Sequence, residues 1–536
     1  MEHTDVAAPA AAPSSPPPSR RPRAPRPERA PLRVWAVALA VGAVAAVAAH
    51  LAMPAKPPAE PVAFEGDPAL EDSVAGTVAG VEGQVQGLSV LRVDGGETTT
   101  LVGGTRDGDA PVTVDTPFET GSVFKVITAM ALADLAADGA TSLDRTLGEV
   151  YPDVEFASPE AADITLQQLA THRSGLPRMP VEGTAVGSYS LFLGTDPYAG
   201  LPPVETSLES TPLAENQPEW SYSNFGFAVL GDALEEETGT PYPELVRERV
   251  LDPLGMDDTV LRGADLDGLP EGAAVPHIAP GKRSEPWRSA EYLPVGIGTW
   301  TTAGDLERLL RALMEGTAPG MAAVEPAHEG PNGDTRIGLG WLTTDFGEGV
   351  ELVQHSGGTY GSTAFVGYQG DQGVVVLSNS FAADAAIIGP RLMGAPEVPP
   401  LAESPMMPGV AYSLGATLPM LLLPPLLAVS LVVRRRTLVG QRPLDRLRIV
   451  SMPLGAFAAL LAAVPMGEWV HTPPAVWSAA VGAVAAAAVA GGWYWPRVPV
   501  ENGRWRWLHV VFFAVSVAVS GALIATVAAA LAAANG

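Results

Sequence analysis

The sequence predicts an α+β domain carried between apolar helices, and three observations support that expectation. Strand signals open the central region over 85–102 and return over 337–377, with helical spacing between them. One uncharged apolar run, Val34 to Met53, precedes the region, and four more come after it at about 411–433, 449–467, 475–495 and 507–532. A hydrocarbon core ~30 Å thick needs ~20 residues at helical rise, so these runs are of spanning length. Finally, Thr120-Gly121-Ser122-Val123-Phe124-Lys125 leads straight into a helical pattern, setting a Ser and a Lys on one face, a turn apart.

Taken in order, residues 1–33 are rich in Pro, Ala and Arg and are expected to be a disordered cytoplasmic tail, because they bury too little surface to offset ordering. Its arginines, from Arg20 to Arg33, put the N-terminus inside and send the region beyond the first apolar run outside. The run 34–53 fits a retained transmembrane anchor; a signal peptide cleaved near Ala49 is the alternative. Residues 54–72 are assigned to a linker and 73–394 to the soluble domain. There 85–93 alternates, Asp94-Gly95-Gly96 turns and 98–102 returns, a hairpin signal. The helix after Ser122 ends at Asp138-Gly139.

Residues 178–219, rich in Gly, Pro, Ser and Thr, are expected to cap the site and leave it through Pro218-Glu219. A helix over 225–234 should pack beneath Tyr222, and Thr302 should cap another, with Asp305 at its third position. Strands at 337–343, 352–354, 363–368 and 374–377, then a helix over 382–393, close the domain. A second linker, 395–410, leads to a four-helix transmembrane region, 411–536. Pro419, Pro424 and Pro425 interrupt its first run, and Trp493, Tyr494, Trp495, Trp505 and Trp507 fit an interfacial belt. The loops Arg434–Arg448 and Arg497–Arg506 are basic, and the loop between them, 468–474, has no Lys or Arg, so both basic loops are expected inside.

Composition narrows the function. A net charge of −27 makes a nucleic-acid partner a poor fit. The absence of Cys removes disulfides, thiolate metal sites and a Cys nucleophile. The eight His are scattered, so no metal and no cofactor is expected. Ser-x-x-Lys alone is a weak signal, but two stretches further on change its weight: Trp220-Ser221-Tyr222-Ser223-Asn224 and Gln354-His355-Ser356-Gly357-Gly358.

In this order and spacing, over roughly 73–390, the chain resembles the serine β-lactamase and penicillin-binding hydrolases. The branch it resembles holds class C β-lactamases, D,D-carboxypeptidases and esterases. Connecting phrases such as Thr171-His172-Arg173-Ser174-Gly175-Leu176-Pro177 and Leu251-Asp252-Pro253-Leu254-Gly255-Met256 belong to the same resemblance. It implies an antiparallel sheet flanked by helices with an all-helical subdomain, and a serine hydrolase forming an acyl-enzyme. Ser122 would be the nucleophile, and Lys125 and Tyr222 would move the proton; which of them is the base stays open at this point. Asn224 would bond the Lys side chain and the substrate amide, and His355, Gly357 and Gly358 would line the substrate edge. Backbone N–H groups of Ser122 and Gly358 would form the oxyanion hole.

His172 is expected to be a structural, hydrogen-bonded residue in the turn after a helix. At His355 the β-lactamases usually carry Lys, which favours a peptidase or esterase. A cationic contact to a substrate carboxylate and a purely positioning role both fit that imidazole. The implied substrate is a small molecule or short peptide with an acyl group, D-amino-acid peptides, esters, amides and β-lactams included. The implied setting is a bacterial plasma membrane, with the lipid bilayer as partner and the hydrolase extracytoplasmic. A receptor that is acylated or binds ligand and signals through its helices is the alternative; a transporter with an accessory hydrolase ranks last, since no span carries an internal charge.

Overall fold

In the computed structural model the chain forms two units, one from residues 1–53 and 412–536 and the other from 54–411. The structure describes residues 27–53, 61–184, 190, 194–214, 219–262, 268–279, 282–330, 332–395, 398–403, 415, 417–438, 442–467, 469, 472–500 and 506–534. Most of the expected tail, residues 54–60 and 404–410 of the expected linkers, the cap's exit at Pro218 and the belt residue Trp505 lie outside them. The helical unit opens with α1 (Leu32–Ala52), after which the chain enters the α+β unit.

The strands of that unit, in chain order, begin with β1 (Phe64–Gly66), β2 (Gly87–Asp94), β3 (Glu97–Gly104), β4 (Phe118–Glu119) and β5 (Val260–Leu261). Next come β6 (His277–Ala279), β7 (Lys282–Arg283), β8 (Thr299–Thr301), β9 (His328–Glu329) and β10 (Thr335–Ile337). The last are β11 (Leu342–Asp345), β12 (Glu351–Gly358), β13 (Thr363–Gln369) and β14 (Gln372–Ser378). Nine of them make an antiparallel sheet in the order β1-β3-β2-β14-β13-β12-β11-β10-β9, so the two ends of the domain meet at β2 and β14. The expected hairpin is β2–β3, turning through Gly95 and Gly96, both at positive φ.

Alternation along these strands feeds two cores. Leu88, Val90, Val374 and Val376 face one way, against α2 (Pro68–Val78) and α8 (Ala385–Leu392). Leu91, Val93, Val375 and Leu377 face the other, into the larger core that includes α3 (Phe124–Asp138) and α7 (Ala303–Glu315). Between these helices lie α4 (Leu166–Ala170), α5 (Val204–Ser210), which belongs to the expected cap, and α6 (Asn224–Thr238). Every residue of α3 from Phe124 to Ala133 is buried, as its all-round apolar sequence requires, and Gly139 closes it at φ 80°. Thr302 Oγ1 accepts the Asp305 N–H at 3.2 Å, the expected cap of α7.

Two boundaries differ from expectation. The linker assigned to 54–72 ends early: Phe64–Gly66 pairs with β3, and Asp67 caps α2, whose Pro68 sits at the first turn. The linker assigned to 395–410 likewise begins inside the core, where Leu401 is fully buried with Leu70 and Val74. The first and last segments of the unit therefore pack together. The strand expected over 337–343 is two strands, because Gly338 and Gly340, the latter at φ 68°, turn the chain between β10 and β11.

The helical unit continues with α9 (Leu418–Arg434), α10 (Arg446–Met466), α11 (Pro474–Tyr494) and α12 (Arg506–Ala534). Among the described residues, four of its helices are long and apolar enough to cross a membrane; α9, with 17 residues, is shorter. α1 packs on α11 through glycine: a Cβ on Gly42 would sit 2.7 Å from the Gly482 carbonyl, and one on Gly482 2.6 Å from that of Gly42. Such backbone contact is what small residues permit between apolar helices. Tyr494, expected in the interfacial belt, is instead buried, its hydroxyl accepting the Ala30 N–H at 3.0 Å.

Candidate active site

β4 pairs with β8, Glu119 opposite Trp300, and delivers the chain into a tight turn at Gly121–Val123 that runs straight into α3. Ser122 stands on this turn, partly exposed, and Lys125 lies below it, fully buried. Lys125 Nζ is hydrogen-bonded to Ser122 Oγ at 2.8 Å and lies 3.4 Å from the Val295 carbonyl. The Tyr222 and Phe227 rings flank it, with centroids 4.9 and 5.7 Å away. Burial, reinforced by the charge of Arg178, holds the amine well below the usual lysine range. A neutral amine in contact with a hydroxyl can take its proton.

β12 approaches this turn at backbone distance. A Cβ on Gly357 would meet the Ser122 and Val123 nitrogens at 2.7 and 2.6 Å and collide with the Thr120 carbonyl; one on Gly121, at φ 47°, would meet the Gly358 nitrogen at 2.5 Å. Gly357, expected along the substrate edge, is not among the described residues lining the cavity above, and its missing side chain admits the nucleophile turn. Gly358 and Ser122 both line the cavity above, as an oxyanion site built from their N–H groups requires.

Tyr222 lies on the loop entering α6, its hydroxyl hydrogen-bonded with Ser122, and burial pushes the phenol up to about 12. His172 supports that loop: its Nδ1 accepts the Ser223 N–H at 3.1 Å, its carbonyl accepts the Ser221 N–H at 2.8 Å, and its ring lies 4.3 Å from that of Tyr222. It holds φ 56°, and burial keeps the imidazole well below its ordinary range. Asn224 departs from expectation. Its Nδ2 donates to the Tyr198 hydroxyl at 2.7 Å rather than engaging Lys125, because Tyr198 of the cap reaches the start of α6; its Oδ1 is buried without a partner among the described residues.

His355 sits on β12 on the same side as Gly357, 3 % exposed and outside the cavity lining, with Nδ1 2.6 Å from the Ser356 carbonyl. Burial brings it down to about 3, so the imidazole is neutral. The cationic reading of His355 does not fit this position.

Two polar residues of the site carried no motif signal. Arg178 comes directly after Pro177 and lines the cavity, its guanidinium carbon 5.3 Å from the Tyr222 ring centroid. Glu119, 3 % exposed and three residues before Ser122, accepts the Thr359 hydroxyl at 2.7 Å and the Trp287 N–H at 3.0 Å; burial raises it to about 7. Its alternation with Phe118 ahead of the Ser motif was the available clue. The cavity, about 530 Å³, is walled by Tyr198, Trp287, Tyr360 and Met179.

A family model described as Beta-lactamase matches residues 65–394. Esterase EstB of Burkholderia gladioli is 30 % identical over 326 residues, 51 % of this chain and 80 % of that protein. Unguisins hydrolase ungD' of Aspergillus campestris is 26 % identical over 314 residues, 52 % of this chain, and the chain spans 55 % of that relative's length. Among solved structures, the octameric penicillin-binding protein homologue from Pyrococcus abyssi superposes with a TM-score of 0.52 at 23 % identity, over 65 % of this chain and 80 % of that one. With the match running from β1 past the end of α8, and a buried lysine against a serine at its centre, the chain belongs to the β-lactamase family and is a serine hydrolase.

Proposed function

We propose that this chain is a membrane-anchored, extracytoplasmic acyl hydrolase that works through an ester on Ser122 and acts on D-amino-acid peptides, esters or amides, β-lactams included. The observation that carries the reading is the 2.8 Å contact between a fully buried Lys125 and Ser122. Neutral Lys125 takes the hydroxyl proton as Ser122 Oγ attacks the substrate carbonyl. The oxyanion receives the N–H groups of Ser122 and Gly358, each such donor worth about 3–4 kcal/mol in the transition state. Tyr222, a neutral phenol at about 12, relays the proton from Lys125 to the leaving group, and water then opens the acyl ester by the reverse route. That phenol value supports Lys125 over a tyrosinate as the base. The basic residues ahead of α1 and between the later helices support an outward-facing hydrolase.

Labelling the full chain with a fluorophosphonate and with a reactive penicillin tests the reading. Wild type is expected to label and to turn over an ester. Ser122→Ala should lose labelling and at least about 10⁴-fold of its turnover. Persistent labelling of Ser122→Ala would remove it as nucleophile, and a stable adduct without turnover would favour a sensor.

A further inference from the structure

We propose that Arg178 is a specificity-determining residue that binds a carboxylate on the substrate, a role resting on the acyl-hydrolase reading above. The arginine is built into the site by its own backbone: its carbonyl accepts the N–H groups of Asn224 and Phe225, both at 3.1 Å, at the start of α6. The position of residue 178 is thereby tied to the helix that carries Asn224 and begins just after Tyr222. Its side chain takes no part in this tie. It is exposed, lines the same cavity as Ser122 and Gly358, and lies over the Tyr222 ring, whose hydroxyl is bonded to the nucleophile.

The guanidinium has no carboxylate partner among the described residues, although the chain holds 59 Asp and Glu against 32 Lys and Arg. Arg145, Arg249 and Arg311 of the same unit each pair with Asp or Glu. In so acidic a chain, a cation inside the cavity with no carboxylate partner among the described residues keeps its donors for a ligand. Among the described residues that line this cavity, Arg178 is the charged one, since His355 and Lys125 both lie buried beneath the lining. Arg offers a planar pair of N–H donors that matches a carboxylate bidentately, which a buried imidazole does not. The apolar walls at Tyr198, Trp287 and Tyr360 would hold the remainder of the molecule.

The test uses full-length protein in detergent and one matched pair of substrates, an N-acyl-D-alanyl thioglycolate with a free carboxylate and its methyl ester. The charge of Arg178 also bears on Lys125, so its removal alters the base for both compounds. The ratio of their kcat/KM values cancels that common effect. Arg178→Gln is expected to lower the anionic-to-neutral ratio about 10–100-fold, mainly through KM of the anionic compound, and Arg178→Lys to restore part of it. An unchanged ratio in Arg178→Gln, with Ser122 still labelled by fluorophosphonate, overturns the assignment of Arg178 alone. Failure of wild type to label or to hydrolyse either compound overturns the acyl-hydrolase reading and this proposal with it.

Discussion

The floor and the rim of this site treat charge in opposite ways. Below Ser122, the nitrogen bases of Lys125, His172 and His355 are all at most 3 % exposed, and burial pushes each of them below its ordinary range. Above it, Arg178 is exposed and lines the cavity. One stretch of chain contributes to both layers, since His172 and Arg178 are six residues apart. Desolvation makes the lower layer suited to exchanging protons, because a neutral amine next to a hydroxyl accepts one without first losing its own. Solvent access leaves the upper layer to sort substrates by charge.

The largest expected break in this contrast comes from Lys125→Met. Turnover should fall about 10⁴-fold, the upper range for loss of a general base. Stability should move the other way. Lys125 titrates below 10.5 in the fold, so under that value the unfolded chain binds more protons and the native state is disfavoured. That cost is present at neutral pH and fades as pH rises towards 10.5; thermal melts at about pH 6 and 9 should show a greater gain for Lys125→Met at the lower pH. A loss of stability at both would mean that the amine is not held neutral.

His355→Lys sharpens the boundary between the layers. A second amine buried beside Lys125 should destabilise the unit by about 2–4 kcal/mol and leave acylation by an anionic substrate no faster. Faster anionic acylation, read by stopped-flow labelling, would bring the floor into charge recognition. Glu119→Gln is the mildest. The carboxyl is raised from 4.5 to about 7, so its contribution to stability is full below 4.5 and is lost as pH rises through 7. The stability of wild type, read from melts, should therefore decline between about pH 5 and 8 more than that of Glu119→Gln, by up to about 3 kcal/mol, while turnover stays within about threefold. Equal slopes would remove the buried carboxyl as the source of the decline.

What the sequence made legible was local. Ser122 and Lys125 share a helix start, β2 and β3 share a two-glycine turn, and Gly139 ends α3, so spacing and turn chemistry sufficed. What it hid depends on packing between distant segments. Asn224 meets Tyr198 across the cap, Glu119 meets Thr359 across 240 positions, and Gly42 meets Gly482 across 440. The depth of His355 belongs to the same class. Residue type and strand register place it beside the nucleophile, but only the surrounding core decides that water, and with it charge, is excluded.

The joining of the first and last segments of the α+β unit has a further consequence. Leu70 and Val74 of α2 share a core with Leu401, and a Cβ on Gly80 would lie 3.3 Å from that of Ala402. The hydrolase thus leaves and returns to the chain at one spot, like a cargo inserted into the first loop of a helical protein. Closely spaced termini are the usual condition for such insertions. A single break within either 54–60 or 404–414 would leave the α+β unit joined in sequence to part of the helical unit through the other, so only a double cut frees it.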